Sequence, residues 1–188
     1  MSNEHVFGFG SLVGLGALAQ FLSRPPFAAS EAYPCHLHDH RRLWNIARDN
    51  SHDLPGRPYF VDDDGERLDI FVTAVNIRPA QGSTVNGVVF PVTGAQLALL
   101  DIREANYDRI RVDGAVAPGL PGRIWTYRGK ALAEAWFAQG AATGKAVVNA
   151  HYHTIVTDAF ASHGKEFLTE YHATTEAPTV PIRPLQTA

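Results

Sequence analysis

The order of strands and helices along this chain restricts its fold more than any other feature. Stretches of β-branched and apolar residues, which favour strands, fill the first two thirds of the sequence, and stretches with helical spacing fill the last third. The two kinds of element do not alternate, as they would in a parallel α/β sheet. This order predicts an α+β domain in which a curled sheet or barrel is flanked by helices.

The predicted boundaries follow from capping and turn residues. Thr93 and Gln96 fit a capping box, so a helix is predicted to begin at Thr93 and to carry Glu104. Residues 32–47 are predicted to form two strands. Residues 68–77 and 85–92 are predicted as two more, with Asn86-Gly87 near the turn that begins the second. The other predicted strands are 6–10, 109–112 and 123–127, and the other predicted helices are 15–23, 131–139, 147–162 and 167–172. We expect one domain over residues 1–176 and an extended tail over 177–188, which contains three prolines.

Composition sets limits on the class of protein. The 188 residues suit one domain, and 45% hydrophobic and 19% charged residues are ordinary for a soluble globular chain. A net charge of −3 gives no electrostatic reason to expect binding to nucleic acid or an anionic membrane. No apolar run approaches the roughly 20 residues that span a bilayer, and the first residues lack the basic region of a signal peptide. The single cysteine cannot form an intrachain disulfide. We therefore expect a cytoplasmic protein.

The predicted helix ending near residue 104 carries a carboxylate on its apolar face. Leu97, Leu100 and Glu104 are spaced so that all three project from one side. Because the leucines favour the core, Glu104 lies in or beside it, where charge is costly. A carboxylate in such a place needs a basic partner such as Arg103 or Arg109, a raised pKa, or a chemical role.

The glycine-rich beginning of the chain has some features of a phosphate-binding loop. Gly8, Gly10 and Gly14 follow a predicted strand and precede a helix, but their spacing is one residue longer than the dinucleotide fingerprint. Nucleotide binding is therefore disfavoured. Glycines still allow the backbone to approach a ligand closely, and free N–H groups in such a loop favour an anion such as a carboxylate. A plain tight turn is the alternative.

The chain also contains side chains that could bind a metal or act as a nucleophile. If residues 32–40 form a strand, His36, His38 and His40 share one face, so a histidine-ligated metalloprotein is one alternative and an exposed polar edge the other. Cys35 has no supporting pattern and is expected to be an inert small hydrophobe. Ser11 lacks the G-x-S-x-G pattern of a hydrolase nucleophile.

Two segments resemble the gamma-glutamylcyclotransferase superfamily. Residues 7–12, Phe-Gly-Phe-Gly-Ser-Leu, resemble its F-x-Y-G-S-L/N loop, with Phe9 in the place of the usual tyrosine. Residues 86–92 form a predicted strand, and Leu100-Asp101-Ile102-Arg103-Glu104 and Tyr107 follow it. They resemble the second hallmark, in which a strand leads to a helix ending in L-D-x-R/x-E with a tyrosine nearby. The separation of about ninety residues between the two segments also fits.

The resemblance implies a small mixed β-barrel with flanking helices and an enzyme that releases 5-oxoproline from a gamma-glutamyl compound. Glu104 matches the superfamily's catalytic acid and base. The residues implied to bind substrate are Phe9, Gly10, Ser11, Leu12, Tyr107 and Tyr127.

The implied reaction suits a single buried carboxylate. The substrate's own α-amine attacks its γ-amide, so neither a cofactor nor a metal is expected. One carboxylate can accept and return the proton, best with a pKa that burial raises toward neutrality. The partner is expected to be a small gamma-glutamyl substrate, with the leaving amine and the oligomeric state left open. A non-catalytic module that binds a small ligand on the same fold is the main alternative.

Overall fold

The computed structural model describes residues 4–53, 58–116 and 122–188. A 3-10 helix covers Ser11–Val13. The strands are β1 (Glu4–Gly8), β2 (Tyr33–Asp49), β3 (Phe60–Val61), β4 (Phe71–Val92), β5 (Tyr107–Arg111), β6 (Arg123–Gly129), β7 (Ala146–Asn149), β8 (Ile182–Arg183) and β9 (Gln186–Thr187). The α-helices are α1 (Leu15–Phe21), α2 (Gly94–Arg103), α3 (Ala131–Ala142), α4 (Ala150–Ala161) and α5 (Lys165–Ala173).

Strand β4 is the centre of a mixed sheet. The strand order is β5-β6-β1-β4-β7-β8, and β2 pairs with the other edge of β4. Strand β1 is antiparallel to β4 and parallel to β6, and β7 is parallel to both β4 and β8. In the part of the chain that is described, β5 and β8 are not paired with each other. The mixed sheet and its helices confirm the predicted α+β class.

The four strands predicted over residues 32–47, 68–77 and 85–92 are two long strands, β2 and β4. Their ladder continues through irregularities where Asp39 has φ 57° and Gly82 has φ 77°, because the partner strand maintains the pairing on both sides. Asn86 and Gly87 lie within β4 and not beside a turn. A Cβ at Gly87 would lie 2.3 Å from the Gly8 carbonyl oxygen, so glycine allows close packing there.

The prediction of a single helix over residues 147–162 is wrong for its first residues. Residues Ala146–Asn149 form β7, which pairs with the first residues of β4. Helix α4 begins only after Asn149, whose side chain accepts a hydrogen bond of 3.0 Å from the His151 N–H. The valines of β7 are buried against the sheet, and this tertiary pairing overrides the local helical pattern.

Helix α2 begins as its sequence predicts. The Thr93 hydroxyl accepts from the Gln96 N–H at 3.2 Å, and the Gln96 side chain accepts from the Thr93 N–H at 3.0 Å, which confirms the capping box. Leu97 and Leu100 are buried in the main core cluster, which holds α2 against the sheet.

Residues 177–188 are extended and join the sheet edges. Strand β8 pairs with β7, and β9 pairs with β3. The longest described helices have 12 residues, and no described helix combines the length and apolar character that crossing a bilayer requires.

Candidate functional site

A pocket of about 280 Å³, part of it open to solvent, lies beside β4. The lining includes all seven residues predicted to bind substrate or catalyse, together with two that were not predicted. The lining residues are Phe9, Gly10, Ser11, Leu12, Val75, Glu104, Tyr107, Tyr127 and Tyr152.

The pocket forms where one edge of β4 changes its partner. That edge pairs with β7 up to Thr73 and with β1 from Val88 onward. Between these two ladders, no described strand pairs with this edge of β4. A loop and several side chains lie beside the edge instead. The Val75 carbonyl accepts a hydrogen bond of 2.7 Å from the Tyr107 hydroxyl. The split in the sheet therefore creates room for a small ligand.

Glu104 stands at the carboxyl end of α2. Its backbone N–H donates to the Leu100 carbonyl and its carbonyl accepts from the Tyr107 N–H, each at 2.8 Å. Its side chain is 12% exposed, and its Oε1 lies 3.2 Å from Arg103 Nε. Burial disfavours the charged carboxylate, whereas the guanidinium favours it. The carboxylate is thus held in the pocket wall beside a fixed positive charge.

Arg103 connects the two segments that form the pocket. Its Nη2 lies 3.5 Å from Ser11 Oγ, and its Cζ lies 4.9 Å from the ring centroid of Phe21 on α1. One side chain therefore contacts Glu104, the Ser11 loop and α1. This arrangement places the Ser11 loop beside the Glu104 carboxylate.

The loop after β1 turns tightly into the pocket. A Cβ at Gly8 would lie 2.9 Å from the Leu12 Cβ, so glycine is required for this close approach. A Cβ at Gly10 would lie 3.8 Å from the Val75 Cβ and 3.9 Å from the Tyr152 hydroxyl oxygen. The absence of a side chain at Gly10 thus leaves space between β4 and α4.

Tyr127 reaches the pocket from β6 with its hydroxyl already bonded. The hydroxyl donates to Asp101 Oδ1 at 2.9 Å. Burial, and then the Asp101 carboxylate, raise the pKa of Tyr127 well above its usual range. The phenol therefore remains protonated at any pH at which the protein would work.

Tyr152 is the pocket residue that the sequence analysis missed on α4. Its ring packs edge-on against Trp44, with ring centroids 5.9 Å apart and planes at 80°. Tyr152 and the fully buried Val156 are one helical turn apart, and this spacing could have placed Tyr152 on the inner face. Val75 had no signal beyond its position in an apolar strand.

The three histidines of the metal alternative do not share a site. His36 Nε2 lies 2.6 Å from Glu170 Oε1, His38 Nδ1 lies 3.2 Å from Thr84 Oγ1, and His40 Nδ1 lies 2.9 Å from the His38 carbonyl oxygen. The irregularity at Asp39 interrupts the alternation that would have aligned them. Over residues 4–53, 58–116 and 122–188, no three His, Cys, Asp or Glu side chains are placed to hold a metal ion.

Cys35 is unsuited to nucleophilic chemistry. Its side chain, on β2, is buried, and burial raises the pKa of its thiol to about 12. The reactive thiolate is therefore essentially absent near neutral pH.

Three solved structures are similar to this one across nearly the whole chain. A protein titled gamma-glutamyl cyclotransferase has a TM-score of 0.54 at 14% identity, over 97% of this chain and 94% of its own. An uncharacterized protein from Homo sapiens has a TM-score of 0.56 at 14% identity, over 100% of this chain and 92% of its own. YkqA from Bacillus subtilis has a TM-score of 0.58 at 13% identity, over 97% of this chain but only 57% of its own. No protein-family model and no curated protein matches this sequence significantly.

Proposed function

We propose that this protein, which has the gamma-glutamylcyclotransferase-like fold, is an enzyme that releases 5-oxoproline and a free amine from a gamma-glutamyl compound. One observation carries the proposal. Two sequence segments about ninety residues apart, each resembling a hallmark of that superfamily, line one pocket. The carboxylate of Glu104 is held in its wall with 12% of the side chain exposed.

The proposed reaction needs little from the protein beyond positioning and proton transfer. The α-nitrogen of the substrate attacks the γ-carbonyl carbon, a C–N bond closes the five-membered ring, and the C–N bond to the leaving amine breaks. Because nucleophile and electrophile belong to one molecule, holding the chain folded back on itself provides most of the proximity. The substrate supplies the nucleophile, so the reaction requires no cofactor.

Glu104 is the group proposed to move the proton. Its carboxylate accepts a proton from the α-ammonium, which frees the nitrogen lone pair for attack. It then returns a proton to the leaving nitrogen, which must be protonated before it departs as an amine. The adjacent guanidinium of Arg103, 3.2 Å away, favours the charged form of Glu104 that the first step requires.

The loop from Phe9 to Leu12 is proposed to hold the polar end of the substrate. Gly10 leaves the backbone of this loop open to the pocket, and Ser11 contributes a hydroxyl beside Arg103. Backbone N–H groups and a guanidinium are donors suited to a carboxylate or a developing oxyanion. The leaving amine would lie toward the side of the pocket that is open to solvent.

The presence of Phe9 favours a second candidate function. Phe9 lines the pocket where the superfamily loop has a tyrosine, so one hydroxyl is missing from the wall. A site lacking one catalytic or binding contact could hold a small ligand without converting it. A non-catalytic binding module on the same fold is therefore the alternative.

The test is release of 5-oxoproline by the purified protein from a panel of substrates. The panel contains glutathione, several gamma-glutamyl amino acids and gamma-glutamyl amines. Saturable release from at least one member supports the proposed enzyme and identifies its leaving group. Binding of these compounds in calorimetry without any 5-oxoproline would favour the binding module.

A further inference from the structure

A chain of hydrogen-bonded groups leads from the surface to the pocket wall. Arg109 Nη1 lies 2.9 Å from Asp101 Oδ2, and Asp101 Oδ1 accepts a hydrogen bond of 2.9 Å from the Tyr127 hydroxyl. Tyr127 lines the pocket, whereas Asp101 lies behind it and outside the lining. Asp101 is therefore connected to the pocket lining through its hydrogen bond to Tyr127.

The hydrogen bond to Asp101 determines what Tyr127 can offer a ligand. A phenol has one proton, and this proton is directed at the Asp101 carboxylate, so the oxygen has only lone pairs left to present. The Tyr107 oxygen also has only lone pairs to present, because its hydroxyl donates to the Val75 carbonyl at 2.7 Å. Together with the Glu104 carboxylate, the two phenols make this wall a set of hydrogen-bond acceptors. An ammonium group, which has three donors and no acceptor, complements it.

We infer that Asp101 is a positioning residue that holds the Tyr127 hydroxyl proton away from the pocket, so that the Tyr127 oxygen accepts a hydrogen bond from the substrate's α-ammonium group. The inference rests on the proposed function and assigns a role to a residue outside the pocket lining. Without Asp101, the hydroxyl could rotate its proton toward the ammonium and repel it.

The surroundings of Asp101 keep its carboxylate in one orientation. Arg109 occupies the second carboxylate oxygen, and its Cζ lies 4.8 Å from the ring centroid of Trp125. Arg109 is also directly opposite Tyr127 in the ladder between β5 and β6. Asp101 lies three residues before Glu104, nearly one helical turn away, so the same end of α2 carries Glu104 and the residue that orients Tyr127.

The substitution Asp101→Asn tests this role. The two hydrogen bonds end on different oxygens of Asp101, so in this geometry the amide of asparagine cannot accept both, and its NH₂ group donates where one of the carboxylate oxygens accepted. We expect Asp101→Asn to lower kcat/KM about tenfold. In a Tyr127→Phe background there is no hydroxyl to orient, so the same substitution should cost less than about twofold. Asp108→Asn on the exposed face of β5 is the matched control and should leave kcat and KM unchanged.

A binding measurement separates this inference from the proposed function. Calorimetry with L-glutamine, the simplest gamma-glutamyl amide, is compared with 4-carbamoylbutanoate, which lacks the α-ammonium. Preferential binding of L-glutamine that Asp101→Asn weakens about tenfold only when Tyr127 is present supports the role of Asp101, even if no panel member is turned over. Equal losses with and without the Tyr127 hydroxyl, or no preference for L-glutamine in the unaltered protein, would overturn it.

Discussion

At the scale of single residues, Tyr152 on α4 is the pocket residue that comes from the helix-rich last third of the chain. Its ring is fixed by edge-on packing against Trp44, and its hydroxyl oxygen lies within 3.9 Å of the position that a Cβ at Gly10 would occupy. Glu104 lies on α2 and Tyr152 on α4, so the two side chains enter the pocket from different elements. We propose that Tyr152 contributes to substrate binding, because it lines the pocket.

Replacing Tyr152 by phenylalanine should raise KM. The ring and its packing on Trp44 remain, and the loss of one neutral hydrogen bond predicts a rise of about three- to tenfold, with kcat nearly unchanged. Steady-state kinetics on the best panel substrate measures both parameters. Tyr59→Phe, at an exposed and remote site, is the control. Unchanged kinetics in Tyr152→Phe would remove this residue from the site.

Much of the pocket could be predicted because many of its residues belong to short, contiguous sequence motifs. The loop from Phe9 to Leu12 and the helix end at Glu104 each form a short motif, and the structure brings both motifs to one place. Val75 and Tyr152 belong to no motif. Their place depends on how β4 changes partners and how α4 packs, which are properties of distant contacts.

At the scale of elements, the buried Arg42 joins α5 to the sheet. Its guanidinium donates to the Asn86 backbone carbonyl and side chain and, at 3.1 Å, to the Thr175 hydroxyl. It also packs against the rings of Phe160 and Tyr171. Burial lowers the pKa of Arg42 to about 9, so the group remains charged at neutral pH. Its positive charge is stabilised by these dipoles and rings.

Truncating this side chain should destabilise the protein strongly. Arg42→Ala leaves a cavity and unpaired buried oxygens, and we expect the free energy of unfolding to fall by about 3 kcal/mol. Chemical denaturation measures it. The neighbouring Arg41, exposed and paired with Glu176, is the matched control, and Arg41→Ala should cost less than about 1 kcal/mol. Similar costs for the two variants would contradict the role given to Arg42.

Elements with local signals were predicted better than elements that depend on pairing. The capping box fixed the start of α2, whereas the boundary between β7 and α4 was missed. Residues 146–149 become a strand because the edge of β4 beside Phe71 accepts them, and no local pattern reveals that edge. The same reason explains why β2 and β4 are longer than predicted.

At the scale of the whole molecule, the last residues complete the sheet. The Pro181 carbonyl accepts a hydrogen bond of 2.8 Å from the Val148 N–H, and Val180 packs against the small cluster around Phe71. Strand β7 leads directly into α4, which carries Tyr152. The tail therefore supports the element that forms one side of the pocket.

Two deletions test this contribution. Removing residues 180–188 eliminates β8 and the Val180 packing, and we expect the free energy of unfolding to fall by about 2 kcal/mol. Removing residues 184–188 eliminates only β9 and should cost less than half as much. Thermal and chemical unfolding of both variants gives the comparison. If neither deletion affects stability, residues 1–179 fold independently of β8 and β9.

The central claim is that Glu104 moves the proton in a reaction that releases 5-oxoproline. The most direct measurement is the kcat of Glu104→Gln on the best panel substrate, beside the unaltered protein and the exposed control Glu166→Gln. Glutamine keeps the shape but cannot accept or return a proton, so we predict a loss of about a thousandfold or more with unchanged thermal unfolding, and no loss in the control. Turnover by Glu104→Gln within about tenfold of the unaltered protein would contradict the claim.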